Sequence, residues 1–137
     1  SDTTLASLDL ERGEALDLDA FAKHVKSEHI PHALIVDCSG RADMAERYEG
    51  WLAQGIHVVT PSKHAGSGDA ARLAALHRAG AKSGARFRYE ATVGAGLPVV
   101  MTLRNLIDTG DVPRSIAGLF SGTLAWLFNK YDGSETF

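Results

Sequence analysis

Residues 33–38 read Ala-Leu-Ile-Val-Asp-Cys, an apolar run too short for a helix of its own and closed by polar side chains. Such a run predicts a strand buried on both faces, the habit of parallel sheets. It does not stand alone. Ile56-His57-Val58-Val59-Thr60, closed by Pro61, predicts a second short buried strand, and Phe87-Arg88-Tyr89-Glu90-Ala91 a third. The segments between them carry helical spacing. Met44, Tyr48, Trp51 and Leu52 form one face, with Gly55 at the C-terminal stop. Ser67 to Gly84 predicts another helix, with Ala70, Leu73, Ala74 and His77 on one side. Ahead of the first strand, Asp17 stands at an N-cap position. Leu18, Phe21, Ala22 and Val25 follow at i, i+3, i+4 and i+7, and Pro31 ends that helix. Alternating helices and strands with short connections are the signature of βαβ units.

After Val93 the texture changes. Gly94-Ala95-Gly96-Leu97-Pro98 makes a tight corner. An apolar helix follows through Val100, Leu103 and Ile107 and stops near Gly110. Ser115–Phe120 reads as a strand, and a last amphipathic helix carries Leu124, Leu127, Phe128 and Tyr131. A boundary is therefore expected at 92–98. Residues 1–15 read as a flexible lead-in, 16–92 as part of a doubly wound α/β domain, and 93–137 as the start of another unit.

Composition excludes several classes. The 137 residues carry 14 Lys and Arg against 17 Asp and Glu, a net charge of −3, so the chain lacks the basic footprint of a nucleic-acid binder. One cysteine forms neither an internal disulfide nor a four-cysteine zinc site. No apolar run reaches the roughly 18 residues of a membrane span. The default expectation is a cytoplasmic protein. G-x-G-x-x-G, the P-loop, H-E-x-x-H and G-x-S-x-G are all missing from these residues.

Chemistry concentrates at the ends of the expected strands, where ligands bind in doubly wound sheets. Ser39 reads first as the N-cap of the next helix and second as a nucleotide contact. Cys38 reads as a small buried residue. Lys63 offers an ammonium to a phosphate, carboxylate or carbonyl, or is a solvated surface lysine, and His64 beside it could line the same cleft. Glu90 to Leu97 combines a carboxylate with a glycine-rich turn whose carbonyls suit a hard cation; the simpler reading is a hinge. Ser121-Gly122-Thr123 either holds an anion on helix N–H groups or simply caps the helix. His29 and His32 lie too close to a helix end and proline to promise a metal site, and Trp51 and Trp126 read as core.

Four strings then occur in order: Ile35-Val36-Asp37-Cys38-Ser39, Val58-Val59-Thr60-Pro61-Ser62-Lys63, Tyr89-Glu90-Ala91-Thr92-Val93-Gly94-Ala95-Gly96-Leu97-Pro98, and Gly118-Leu119-Phe120-Ser121-Gly122-Thr123-Leu124. Together they resemble homoserine dehydrogenase, above all the dehydrogenase half of bifunctional aspartokinase–homoserine dehydrogenases, from about residue 16 onward. The resemblance implies an α/β fold. Residues 16–92 would be the C-terminal part of a Rossmann-like NAD(P)-binding domain, and 93–137 the first part of an α+β dimerisation and catalytic domain. It implies reversible reduction of L-aspartate 4-semialdehyde to L-homoserine with NADPH or NADH, on the route to threonine, methionine and isoleucine.

Residue by residue, the resemblance implies cofactor contacts at Ser39 and Lys63 and a substrate-pocket role for Thr123. It implies a monovalent cation, sodium by preference, at Glu90, Val93, Ala95 and Leu97. Ser62-Lys63-His64 departs from the family's usual Asn-Lys-Lys. The glycine-rich cofactor turn is expected before residue 1 and the principal acid/base lysine beyond residue 137, so this chain alone is expected to be inactive. A homo-oligomer is expected, with neither nucleic acid nor membrane as partner. Two competing readings remain: a non-catalytic nucleotide-binding or assembly module on the same fold, and an aspartate-semialdehyde dehydrogenase, which would need a nucleophilic cysteine that Cys38 does not resemble.

Overall fold

The computed structural model describes residues 13, 15–27, 29 and 31–134. Most of the expected lead-in at 1–15 lies outside them. In chain order the elements are α1 (Leu18–Val25), β1 (Ala33–Val36), α2 (Ala42–Ala53), β2 (Ile56–Val59), α3 (Ala70–Ser83), β3 (Phe87–Arg88), a 3₁₀ turn (Glu90–Thr92), α4 (Val99–Asp108) and α5 (Gly122–Lys130). The strands form one sheet in the order β1-β2-β3. Both pairings are parallel, with Ala33 beside Ile56, Ile35 beside Val58 and Val58 beside Phe87. This is the α/β parallel-sheet architecture expected from the alternation.

Helix starts follow their caps. Asp17 accepts hydrogen bonds from the N–H groups of Asp19 (3.0 Å) and Ala20 (2.9 Å). The first helix ends at Val25, well before Pro31. Helix α3 opens at Ala70 rather than Ser67, because Asp69 is its cap and accepts from the Ala71 N–H at 2.8 Å. It stops at Gly84, whose φ of +78° few other residues adopt.

One core joins the elements up to Phe87. It holds Ala22, Ile35, Met44, Tyr48, Trp51, Leu52, Ile56, Val58, Leu76 and Phe87. The expected face of α2 is buried as read. That of α3 is rotated: Leu76 and Gly80 are buried, whereas Ala70, Ala74 and His77 are exposed. Gly80 permits the close approach, since a Cβ there would stand 2.7 Å from the Ala85 carbonyl oxygen.

Four expectations change. In β1, Ala33 and Ile35 are buried but Leu34 and Val36 are 51% and 59% exposed. The core covers one face of the sheet, and no described element covers the other. Beyond Arg88 the third strand gives way to the 3₁₀ turn, and the Thr92 N–H bonds the Tyr89 carbonyl at 3.0 Å. Residues 115–120 are not a strand; no ladder partner meets them among the described residues. Trp126 is 64% exposed rather than core, because no residue of α5 is buried.

Candidate functional site

The parallel register brings the segments that follow all three strands to one edge of the sheet, the edge where such folds bind ligands. The β1 and β2 ends are joined by a buried polar network. Asp37 continues the inward alternation of Ala33 and Ile35 and is 3% exposed. Its Oδ1 accepts from the Ser39 N–H at 2.8 Å and the Ser39 hydroxyl at 2.6 Å. Its Oδ2 accepts from the Tyr48 hydroxyl, which rises from the α2 core face. The Thr60 hydroxyl donates to the Asp37 carbonyl at 2.9 Å and accepts from the Ser62 N–H at 3.0 Å.

Burial pushes the Asp37 carboxyl up, but hydrogen bonds from the Ser39 hydroxyl, the Tyr48 hydroxyl and the Ser39 N–H outweigh it, leaving the pKa below the usual value. The same burial, with the Asp37 bond, pushes the Tyr48 phenol up to about 12. Asp37 is thus an ionised hub and Tyr48 a neutral donor.

Ser39 is exposed on this hub. It is not the helix cap, since that position is Arg41. Its oxygen instead accepts from the Arg41 N–H at 3.2 Å. Cys38 is exposed rather than buried, because it faces opposite to Asp37. Lys63 is exposed at the start of the turn after β2, and its carbonyl accepts from the N–H groups of Gly66 (3.1 Å) and Ser67 (2.8 Å). No ion pair engages its ammonium among the described residues. Lys63 and Val93 border one cleft of about 320 Å³ with Ser62, Tyr89 and Thr92. His64 reaches across, its Nε2–H donating to the Gly40 carbonyl at 3.0 Å, so it ties the β1 and β2 loops together.

After β3, Glu90 is held by Arg104 of α4 at 2.8 Å, with Arg88 at 3.8 Å. The Arg104 guanidinium also lies 5.6 Å from the centre of the Tyr89 ring. Glu90 Oε2 is buried without a hydrogen-bond partner among the described residues. Gly94 and Ala95 have φ of +73° and +51°, and the Leu97 N–H closes the turn on the Gly94 carbonyl at 2.9 Å. A Cβ at Gly94 would meet Val99 at 2.8 Å, so this corner requires glycine twice over. The unpartnered Glu90 Oε2 is an open acceptor for a cation or another donor. Arg104 and Arg88 already offset the Glu90 charge, which weakens its attraction for any cation.

Thr123 is exposed in the first turn of α5, where Ser121 caps the helix by accepting from the Leu124 N–H at 3.2 Å. It does not line the Lys63 cleft. The described residues contain no cluster of three or more His, Cys, Asp or Glu side chains able to hold a metal. Sequence reasoning missed Asp37, Tyr48, Thr60 and Arg104 as site residues. The signal for Asp37 was its odd position, in phase with Ala33 and Ile35; Arg104 gave none, since its partner is 14 residues away.

A parallel α/β sheet with polar, loop-borne groups at its carboxyl edge defines a Rossmann-like nucleotide-binding domain. The family profile described as homoserine dehydrogenase, NAD binding domain, matches residues 6–90. The chain belongs to that family.

A bifunctional aspartokinase/homoserine dehydrogenase 1 of Arabidopsis thaliana, chloroplastic, is 48% identical over 128 residues, covering 93% of this chain and 14% of the relative. The homoserine dehydrogenase of Saccharomyces cerevisiae is 38% identical over 130 residues, covering 95% of this chain and 36% of that protein. A crystal structure of a Candida auris protein of unknown function superposes with a TM-score of 0.77 at 33% identity, covering 85% of this chain and 33% of its own. The chain thus spans a minor part of each of these proteins.

Proposed function

We propose that this chain is part of a homoserine dehydrogenase that interconverts L-aspartate 4-semialdehyde and L-homoserine with NADPH or NADH. The observation that carries the reading is the carboxyl edge, where Ser39 and Lys63 stand on adjacent loops within the family-matched segment. A nicotinamide dinucleotide, when bound, donates or accepts a hydride. Ser39 would contact its nicotinamide half. The Lys63 ammonium would supply positive charge near cofactor and substrate, where an alkoxide develops during aldehyde reduction. The rigid 37–41 and 60–64 loops would hold the reactants in place, which is worth more than any single contact in a two-substrate reaction.

Glu90, Val93, Ala95 and Leu97 would hold a monovalent cation, sodium by preference, that stiffens the corner between the sheet and α4. Thr123 would border the substrate pocket. Residues 16–92 would complete a nucleotide-binding domain, and 93–137 would open a dimerisation and catalytic domain. The exposed apolar side chains Leu119, Trp126 and Phe128 support self-association there. None of the described helices is long and apolar enough to cross a membrane. A cytoplasmic location is part of the proposal, and fractionation of the source cells separates it from the plastid location named for the plant relatives.

The test is homoserine-dependent reduction of NAD or NADP by the full-length protein, followed by nicotinamide absorbance. Turnover is expected, with a loss of tenfold or more in Lys63→Met at about 1.4 kcal/mol per decade. Absence of turnover with homoserine, in a protein that binds the dinucleotide, would overturn the substrate assignment.

A further inference from the structure

The carboxyl edge carries an exposed hydroxyl whose proton is already committed. Ser39 donates to Asp37 Oδ1 at 2.6 Å, and its oxygen accepts from the Arg41 N–H at 3.2 Å. A serine hydroxyl has one proton and two lone pairs. What Ser39 presents to a ligand is therefore a single lone pair and no donor. Turning the proton away would leave the buried Asp37 carboxylate one hydrogen bond short, which holds the hydroxyl in this orientation. Tyr48 occupies the other carboxylate oxygen, so Ser39 has no competing acceptor on this hub.

We infer that Asp37 is a positioning residue that makes Ser39 an obligate hydrogen-bond acceptor, specifying a donor on the ligand; with the nicotinamide half of the dinucleotide at this edge, that donor is the carboxamide amino group. A phosphate oxygen, which has lone pairs but no proton, is repelled at this point. A bare hydroxyl with a free proton would serve either partner. The committed one discriminates between them, and it does so before any ligand arrives. The inference rests on the reading of this edge as a nicotinamide dinucleotide site and assigns that site a polarity.

The experiment uses the full-length protein and fluorescence or calorimetric titration with two probes. One is the ordinary dinucleotide. The other carries an acetyl group in place of the carboxamide, which keeps the carbonyl and removes the N–H donor. The native protein is expected to bind the acetyl probe about five- to tenfold more weakly, the worth of one neutral hydrogen bond. Ser39→Ala is expected to bind both probes equally. Asp37→Ala removes the acceptor, frees the serine proton and is expected to lose most of the same discrimination, and the Ser39→Ala/Asp37→Ala pair to be no worse than Ser39→Ala.

Tyr48→Phe is the control for a merely structural role: it is expected to lower stability yet keep the discrimination. If Asp37→Ala does not fold, Ser39→Ala with the two probes still decides whether Ser39 takes the donor. Equal binding of both probes by the native protein would overturn the inference while leaving the dinucleotide reading standing. Additive losses in the double variant would do the same. Failure to bind any dinucleotide would overturn both.

Discussion

Trp51 and Trp126 lie on two helices that each place aromatic and aliphatic residues at helical spacing. Trp51 is 2% exposed, packed with Tyr48 under the sheet, and Trp126 is 64% exposed on α5. The difference is not composition. Helix α2 faces β1 and β2, which are fixed by parallel pairing, whereas α5 meets no such surface among the described residues. Amphipathic spacing states that a helix has a face to bury; it does not say what buries it. The two regions teach that the first is held by its own core, whereas nothing among the described residues buries the second.

The sharpest break of that comparison is a pair of leucine truncations, one buried and one exposed. Leu52→Ala, at a fully buried position, is expected to cost about 2–5 kcal/mol. Leu124→Ala on α5 is expected to stay within about 0.5 kcal/mol in the 137-residue chain. Urea denaturation measures both. A large loss at Leu124 in the full-length protein alone would show that a partner surface covers α5, whereas a large loss in the short chain would break the comparison.

Next comes pH. The Tyr48 phenol is raised from 10.0 to about 12, so its neutral form stabilises the fold fully below pH 10 and that contribution fades as pH rises toward 12. The shift is worth on the order of 2–3 kcal/mol at about 1.4 per unit. At the other end, the Asp37 carboxyl is depressed, so its contribution holds above the ordinary carboxylate range and is lost as pH falls through its lowered value. Tyr48→Phe is expected to flatten the alkaline limb of a stability–pH profile. An unchanged limb would remove Tyr48 from the network.

Glycines give a smaller contrast. Gly80→Ala would set a Cβ 2.7 Å from a backbone carbonyl and is expected to cost about 1–3 kcal/mol. Gly122→Ala, with nothing within 4 Å, is expected to be neutral or to stabilise by about 0.4–1 kcal/mol. Thermal melts compare them directly. Below the Gly80 loss comes the cap: Ser121→Ala should cost about 0.5–2 kcal/mol of α5 stability, read by circular dichroism, with little effect on the sheet.

Much of the fold was legible because its determinants are local. Asp17 announced α1, the alternation of runs announced a parallel sheet, and the spacing of Met44, Tyr48, Trp51 and Leu52 announced the buried face of α2. The positions of Ser39 and Lys63 at strand ends followed from those elements. The misreadings share one cause. Leu34, Val36, Cys38 and Trp126 are as apolar as their buried counterparts, and only the arrangement of neighbouring layers separates them. The phase of α3 was likewise decided by Gly80 fitting against Ala85, a contact between segments.

The chemistry of the edge divides the same way. Residue identity alone supplied carboxylates, hydroxyls, an ammonium and a glycine corner, in an order that identifies the family. Whether Asp37 is ionised, which way the Ser39 proton points, and that Arg104 rather than solvent holds Glu90 are set by atoms brought together from distant parts of the chain. A side chain's charge and proton position depend on its burial and its partners. Sequence order fixes which groups are present, and packing alone fixes which of them meet.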